Sequence, residues 1–177
     1  MLLNIGGQQT RDRFPPGWTC VDILPGADVH CDIAQEPLPF QDSSVDAIYC
    51  SHVLEHIWSW RLSFVLEEFY RVLVLGGRLR VVVPDMDIAI DEYLRHRESP
   101  GSLRGCMDWW FDPSLDKDGK LWLSHVTGFN KPLLWDLLLK AHFRKIESCG
   151  YNDCYPVFTD CDNPGHQNTS LYMEAIR

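Results

Sequence analysis

The residues of this chain best suited to hold a ligand stand where short apolar runs end. The first run closes on Asn4-Ile5-Gly6-Gly7-Gln8, the second on Val21-Asp22-Ile23, the third on Asp32-Ile33, and a later one on Ser51-His52. If these runs are parallel strands, all four ends lie along one sheet edge. Glycine there lets a ligand approach the backbone, and the next strand end offers a carboxylate to a diol such as the two hydroxyls of a ribose. Asp32 would reach an exocyclic amine of a purine, with Ile33 and Leu38 on its faces and Ile23 beside Asp22. Glycine pairs also mark plain tight turns, and single aspartates cap turns, so each feature alone has a purely structural reading.

Two histidine-bearing stretches supply proton chemistry. His52, Glu55 and His56 stand in S-H-V-L-E-H, and on a helix His52 and His56 would share a face. The H-E-x-x-H order of helical zinc sites is missing and no third ligand is evident, so these read as hydrogen-bonded histidines at a strand-to-helix turn, with proton transfer open to His52. His125 stands in S-H-V-T-G-F. A neutral imidazole, with its ordinary pKa of about 6.5, takes a proton from an attacking hydroxyl or amine; alternatively the ring ties a loop to a helix start. Asp85 and Asp87 would orient a substrate, Asp87 equally serving as a helix cap. The seven cysteines, at 20, 31, 50, 106, 149, 154 and 161, include no C-x-x-C pair. They are expected to be reduced thiols, and no metal is assigned to them or to the histidines.

Apolar runs alternating with helical periodicity predict a parallel sheet covered by helices. Strands are expected at Leu2 to Ile5, Thr19 to Ile23, Val29 to Cys31, Val45 to Cys50 and Leu79 to Val83, the last two central because they leave no water-facing alternation. Leu62, Val65, Leu66, Phe69, Val72 and Leu73 recur at helical spacing, with Gly76-Gly77 as a left-handed stop. A second helix is expected from Asp87 to about Arg97 with Ile90, Tyr93 and Leu94 inward. A third runs from Asn130 or Lys131 to His142 with Pro132 in its first turn and a stripe of Leu133, Leu134, Leu137, Leu138 and Ala141. Strands around Arg144 to Cys149 and Ser170 to Ile176 would complete the sheet. Residues from about 98 to 124 show no sustained period and read as an irregular insertion, where Trp109, Trp110 and Phe111 line a pocket or fill a small satellite core.

At 177 residues, 45% of them hydrophobic, the chain reads as a single domain over 1–177. Sixteen Lys and Arg against 25 Asp and Glu give a net charge of −9, which disfavours nucleic acid as a partner. No apolar run reaches a membrane span, and the opening lacks the pattern of a signal peptide, so a soluble cytoplasmic protein is expected.

The stretches LNIG, GWTCVDILPGADVHCDI, LPFQDSSVDAIYCSHVLEHI, LEEFYRVLVLGGRLRVVVPDMD and HVTGFNKPLLWDLLLKAHF, with the closing SLYMEAIR, resemble a group of short class I S-adenosylmethionine-dependent methyltransferases of type 11. The resemblance implies an α/β, Rossmann-like fold with a seven-stranded, mostly parallel sheet in the order 3-2-1-4-5-7-6. It implies S-adenosylmethionine as cofactor: Gly6 and Gly7 beside its methionine part, Asp22 and Ile23 at the ribose, Asp32, Ile33 and Leu38 at adenine, and Ser51 with His52 near the methyl group. The acceptor side would fall to His125 and His52, and the acceptor itself would be a small molecule or saccharide methylated on oxygen or nitrogen.

Two departures stand out. Gln8 occupies the place of the second glycine of G-x-G, and only the stretch Gln8 to Trp18, broken by Pro15-Pro16-Gly17, precedes the second strand, so the first crossover helix is short or missing. A dinucleotide would want that helix N-terminus for its pyrophosphate; S-adenosylmethionine carries none. The same departures motivate a second reading, a catalytically degenerate domain that serves as a binding or assembly module. Exposed aromatic residues in the insertion leave an oligomer open.

Overall fold

Two largely apolar, largely buried runs, Val45–Ser51 (β4) and Leu73–Pro84 (β5), fix the centre of the molecule, as strands covered on both faces do. In the computed structural model, which describes residues 1–111 and 124–177 apart from the side chains of 9–11 and 108–111, these strands pair in parallel. Leu2–Ile5 (β1), Trp18–Asp22 (β2) and Val29–His30 (β3) extend the sheet on one side. Lys145–Cys149 (β6) and Ser170–Ile176 (β7) extend it on the other. The order is β3-β2-β1-β4-β5-β7-β6, with β7 antiparallel to both β5 and β6, as the resemblance implies.

The helix Leu62–Val72 (α1) buries Leu62, Val65, Leu66, Phe69 and Val72, the stripe expected from its period. It ends earlier than the glycines suggest. Leu73 already pairs with Val45 in the sheet, and the register then shifts so that Ala47 faces Arg78. Gly76, at φ +81°, sits in this irregularity inside β5 rather than at a helix stop. The helix Met86–His96 (α2) is capped by Asp85, whose side chain accepts from the Asp87 amide, so Asp87 is not the cap. No α2 side chain is buried: Ile90 and Leu94 are exposed and Tyr93 is half-buried, against the inward face expected of them.

Residues Ser102–Phe111 form a further helix (α3) in the stretch expected to be irregular. Its described apolar side chains, Leu103, Cys106 and Met107, are exposed or half-buried and mark no inner stripe. The side chains of Trp109, Trp110 and Phe111 lie outside the described residues. In Lys131–Lys140 (α4), Asn130 caps and Leu134 and Leu138 are buried, while Leu133 is exposed. The first crossover holds only a 3-10 turn, Gln8–Arg13.

Beyond α4 the chain is tied down by a buried ion cluster. Arg80 on β5 is fully buried and donates to the Asp162 carboxylate from Nε at 3.0 Å and to Glu174 Oε1 on β7 at 2.9 Å. Tyr49 donates its hydroxyl to Asp162 at 3.2 Å. The loop between β6 and β7 is thereby drawn against the sheet beside Tyr49, Phe158 and Tyr172.

Candidate active site

At the carboxyl ends of β1, β2 and β4 lies a cavity of about 560 Å³. Its wall includes Gly6, Asp22, Ile23, Asp32, Ile33, Ser51 and His52, gathered from four strand ends as an open parallel sheet requires. Gly6 is there of necessity. Its φ is +69°, and a Cβ would stand 2.3 Å from Cγ2 of Val53, another wall residue.

The Asp22 carboxylate is largely buried and held by two backbone amides, Gln8 N to Oδ2 at 3.0 Å and Leu24 N to Oδ1 at 2.9 Å. Each oxygen keeps lone-pair capacity, so the group is both fixed and able to accept from a diol. Asp32 accepts from the Ala34 amide at 3.0 Å and from Gln35 Nε2 at 2.7 Å. Three neighbours stand elsewhere. Leu38 is buried in the main core. A Cβ on Gly7 would meet the Asn4 side chain, which makes Gly7 a packing glycine. The Gln8 side chain lies against Gly26 and Cys20, 3.8 Å from the Cys20 thiol, and is not on the cavity wall. The side chain at the second glycine position therefore does not obstruct the cavity; its amide instead steadies Asp22.

The other end of the cavity is rich in imidazole. His52 terminates β4 with φ +53°, and its Nδ1 lies 3.2 Å from Oε1 of Glu55, a residue with no exposed surface. That contact is too poorly aligned for a hydrogen bond, and Nε2 faces the Ser170 hydroxyl at 3.0 Å. The His166 ring stacks on His52 at 3.7 Å between centroids, and burial, with the His52 ring next in weight, lowers its pKa to about 4. His56, also on the wall, donates Nδ1–H to the Ser124 carbonyl at 3.3 Å and stands 5.0 Å from the His125 ring. His125 is held there by backbone: the Glu55 carbonyl accepts from the amides of Val126 and Thr127 at 2.8 and 3.1 Å. Burial pulls the His125 pKa below its ordinary value despite Glu55 nearby, so the ring is neutral near pH 7. His125 is not on the cavity wall; it stands behind His56.

Sequence reasoning did not find Arg13, Phe14, Tyr49, Cys161, Asn163 or His166, all of which line the cavity. Most come from loops without period, brought in by the short first crossover and by the Arg80 cluster, and only long-range pairing places them. Asp85, with its pKa raised by burial, serves as the α2 cap.

A methyltransferase domain family matches residues 16–81, the span from β2 through most of β5. No curated protein matches the sequence. Among solved structures, an S-adenosylmethionine-dependent methyltransferase from Archaeoglobus fulgidus is 15% identical with a TM-score of 0.64, over 99% of this chain and 85% of that one. A Thermotoga maritima protein described as a possible histamine N-methyltransferase is 18% identical, TM-score 0.58, over 99% and 81%. The Burkholderia thailandensis 1,6-didemethyltoxoflavin-N1-methyltransferase, solved with S-adenosylhomocysteine, is 17% identical, TM-score 0.54, over 99% and 70%. At these identities the likeness is one of fold: the seven-stranded Rossmann-like sheet of class I methyltransferases. The domain match covers the part of that fold from β2 to β5, which holds the ends of β2, β3 and β4 that wall the cavity.

Proposed function

We propose that this chain is an S-adenosylmethionine-dependent methyltransferase that methylates an oxygen or nitrogen of a small-molecule or saccharide acceptor. The observation that carries this reading is the single cavity with two unlike ends, fixed carboxylates and apolar side chains at one and a pocket-facing imidazole at the other. When bound, the cofactor supplies an electrophilic methyl group on a sulfonium. The chain's task is to hold both partners in line and to exclude water. Asp22 accepts from the ribose hydroxyls, Asp32 from the adenine amine, Ile23 and Ile33 cover the purine, and Gly6 admits the methionine part along the backbone. Ser51 and His52 border the reacting end.

Proton removal falls to His52. Its ring stands between Glu55 and the Ser170 hydroxyl on the cavity wall, placed to take a proton from an acceptor hydroxyl or ammonium. His125, also a candidate base from sequence, lies off the wall and is a weaker claimant. The reading as a degenerate binding module loses one support with Gln8 turned away from the cavity and keeps another in the short first crossover. The test is a panel of sugars and small amines scored by S-adenosylhomocysteine release. Turnover of at least one acceptor, reduced by about 10² to 10⁴-fold in His52→Ala, is expected; full activity of that variant with an unchanged pH profile would remove His52 as the base.

A further inference from the structure

We propose that Glu55, His56 and His125 form a binding site for one divalent transition-metal ion of the zinc, iron(II) or cobalt(II) kind, set against the acceptor end of the cavity. One ligand atom from each of the three lies within 4.8 Å of the other two. Donor atoms on an ion bound at about 2.0 to 2.2 Å stand somewhat closer together than this, so small side-chain rotations complete the site. The sequence motif pairs His52 with His56; the fold instead sets His56 beside the intervening Glu55 and, from far along the chain, His125.

Three observations point to a cation. The Glu55 side chain is wholly buried, and Oε2 has no hydrogen-bond partner among the described residues, while Oε1 meets only His52 Nδ1 at 3.2 Å. A buried carboxylate so poorly satisfied is costly unless a positive charge joins it. His56 donates Nδ1–H to the Ser124 carbonyl, which fixes its tautomer and leaves Nε2 as a lone-pair donor, the arrangement usual behind metal-binding histidines. His125 is brought to the cluster by the backbone bonds from Val126 and Thr127 to the Glu55 carbonyl, so the site is built before any ion arrives. Two imidazoles and one carboxylate suit borderline ions; magnesium and calcium prefer an all-oxygen set. Three protein ligands leave at least one position for water. In the role we give it, and resting there on the methyltransferase reading, that position receives an acceptor hydroxyl, which makes oxygen the methylated atom.

The test uses chelator-treated, reduced protein titrated with Co²⁺ under nitrogen and with Zn²⁺ against a competing chelator, with S-adenosylhomocysteine binding measured on the same samples. One ion per chain is expected, with visible Co²⁺ bands and no thiolate charge-transfer band. Glu55→Gln and His125→Ala should each weaken it by more than the roughly 10 to 100-fold typical of losing a group behind a ligand. Circular dichroism checks that each variant folds, and His125→Ala decides the matter if Glu55→Gln does not. No binding at millimolar free ion, binding unaltered in folded His125→Ala, or a thiolate band that this variant leaves in place would each overturn the site. Loss of metal binding with nucleoside binding intact counts against the metal alone, whereas metal binding without nucleoside binding upholds the site and counts against the methyltransferase reading.

Discussion

At the scale of single residues, the proposed function rests on Asp22 and Gly6 at the nucleoside end of the cavity. Asp22→Ala removes a charged acceptor held by two amides and should weaken S-adenosylhomocysteine by about 1.5 to 3 kcal/mol in calorimetry, with the fold retained. Gly6→Ala places a methyl group against Val53 and strains a left-handed φ. It should lower both cofactor affinity and melting temperature, and Val53→Ala in the same chain should recover part of each. Gln8→Gly should leave cofactor affinity nearly unchanged, because that side chain faces Gly26 and Cys20. His166 sets a pH dependence. Its Nδ1 is buried without a partner among the described residues, and burial beside His52, with Arg13 adding to the effect and Glu55 opposing it, lowers its pKa to about 4. Between about pH 6.5 and 4 the unfolded chain binds a proton at this position that the folded one does not, so its contribution to stability is present above that window and lost as pH falls through it. Melting temperature should fall across that range, and His166→Gln should flatten the decline. Asp22 and Ser51 were legible as strand-end residues. The imidazole cluster was not, because His125 and His166 meet His56 and His52 only through tertiary contacts.

At the scale of elements, β1 to β4 and α1 were legible because their apolar residues are the buried ones, so period and burial coincide. The helix α4 was legible from its cap and from Leu134 and Leu138, although Leu133 of its stripe is exposed. Where period and burial part, the sequence misleads. The exposed apolar residues of α2 resemble an inner face, and none of the described α3 side chains, 102–107, is buried. The start of β5 was hidden by Gly76 and Gly77, which here serve a register irregularity within the strand. The cluster of Arg80, Asp162 and Glu174 left no sequence signal at all, since its members are paired only by β5 lying beside β7 and by the folded-back loop. Asp162→Ala leaves a fully buried guanidinium half satisfied and should cost about 3 to 5 kcal/mol in denaturant unfolding. Arg80→Met with Asp162→Leu should cost less than the single change, because no charge is then stranded. The loop bearing Cys161, Asn163 and His166 forms part of the cavity wall, so Asp162→Ala should weaken the nucleoside as well.

At the scale of the whole molecule, a sheet of seven strands carries its site at the edge where β1, β2 and β4 end, with only a 3-10 turn for a first crossover. That crossover offers no helix N-terminus to a pyrophosphate, which agrees with the proposed cofactor, since S-adenosylmethionine carries none. No helix among the described residues is long and apolar enough to cross a membrane. The central claim is that this cavity binds the methyl donor's nucleoside through Asp22, and isothermal titration of the purified protein with S-adenosylhomocysteine tests it most directly. The account predicts one saturable site per chain with micromolar affinity, weakened in Asp22→Ala by the margin given above. Absence of binding at millimolar ligand, or equal affinity in the folded Asp22→Ala variant, would contradict it.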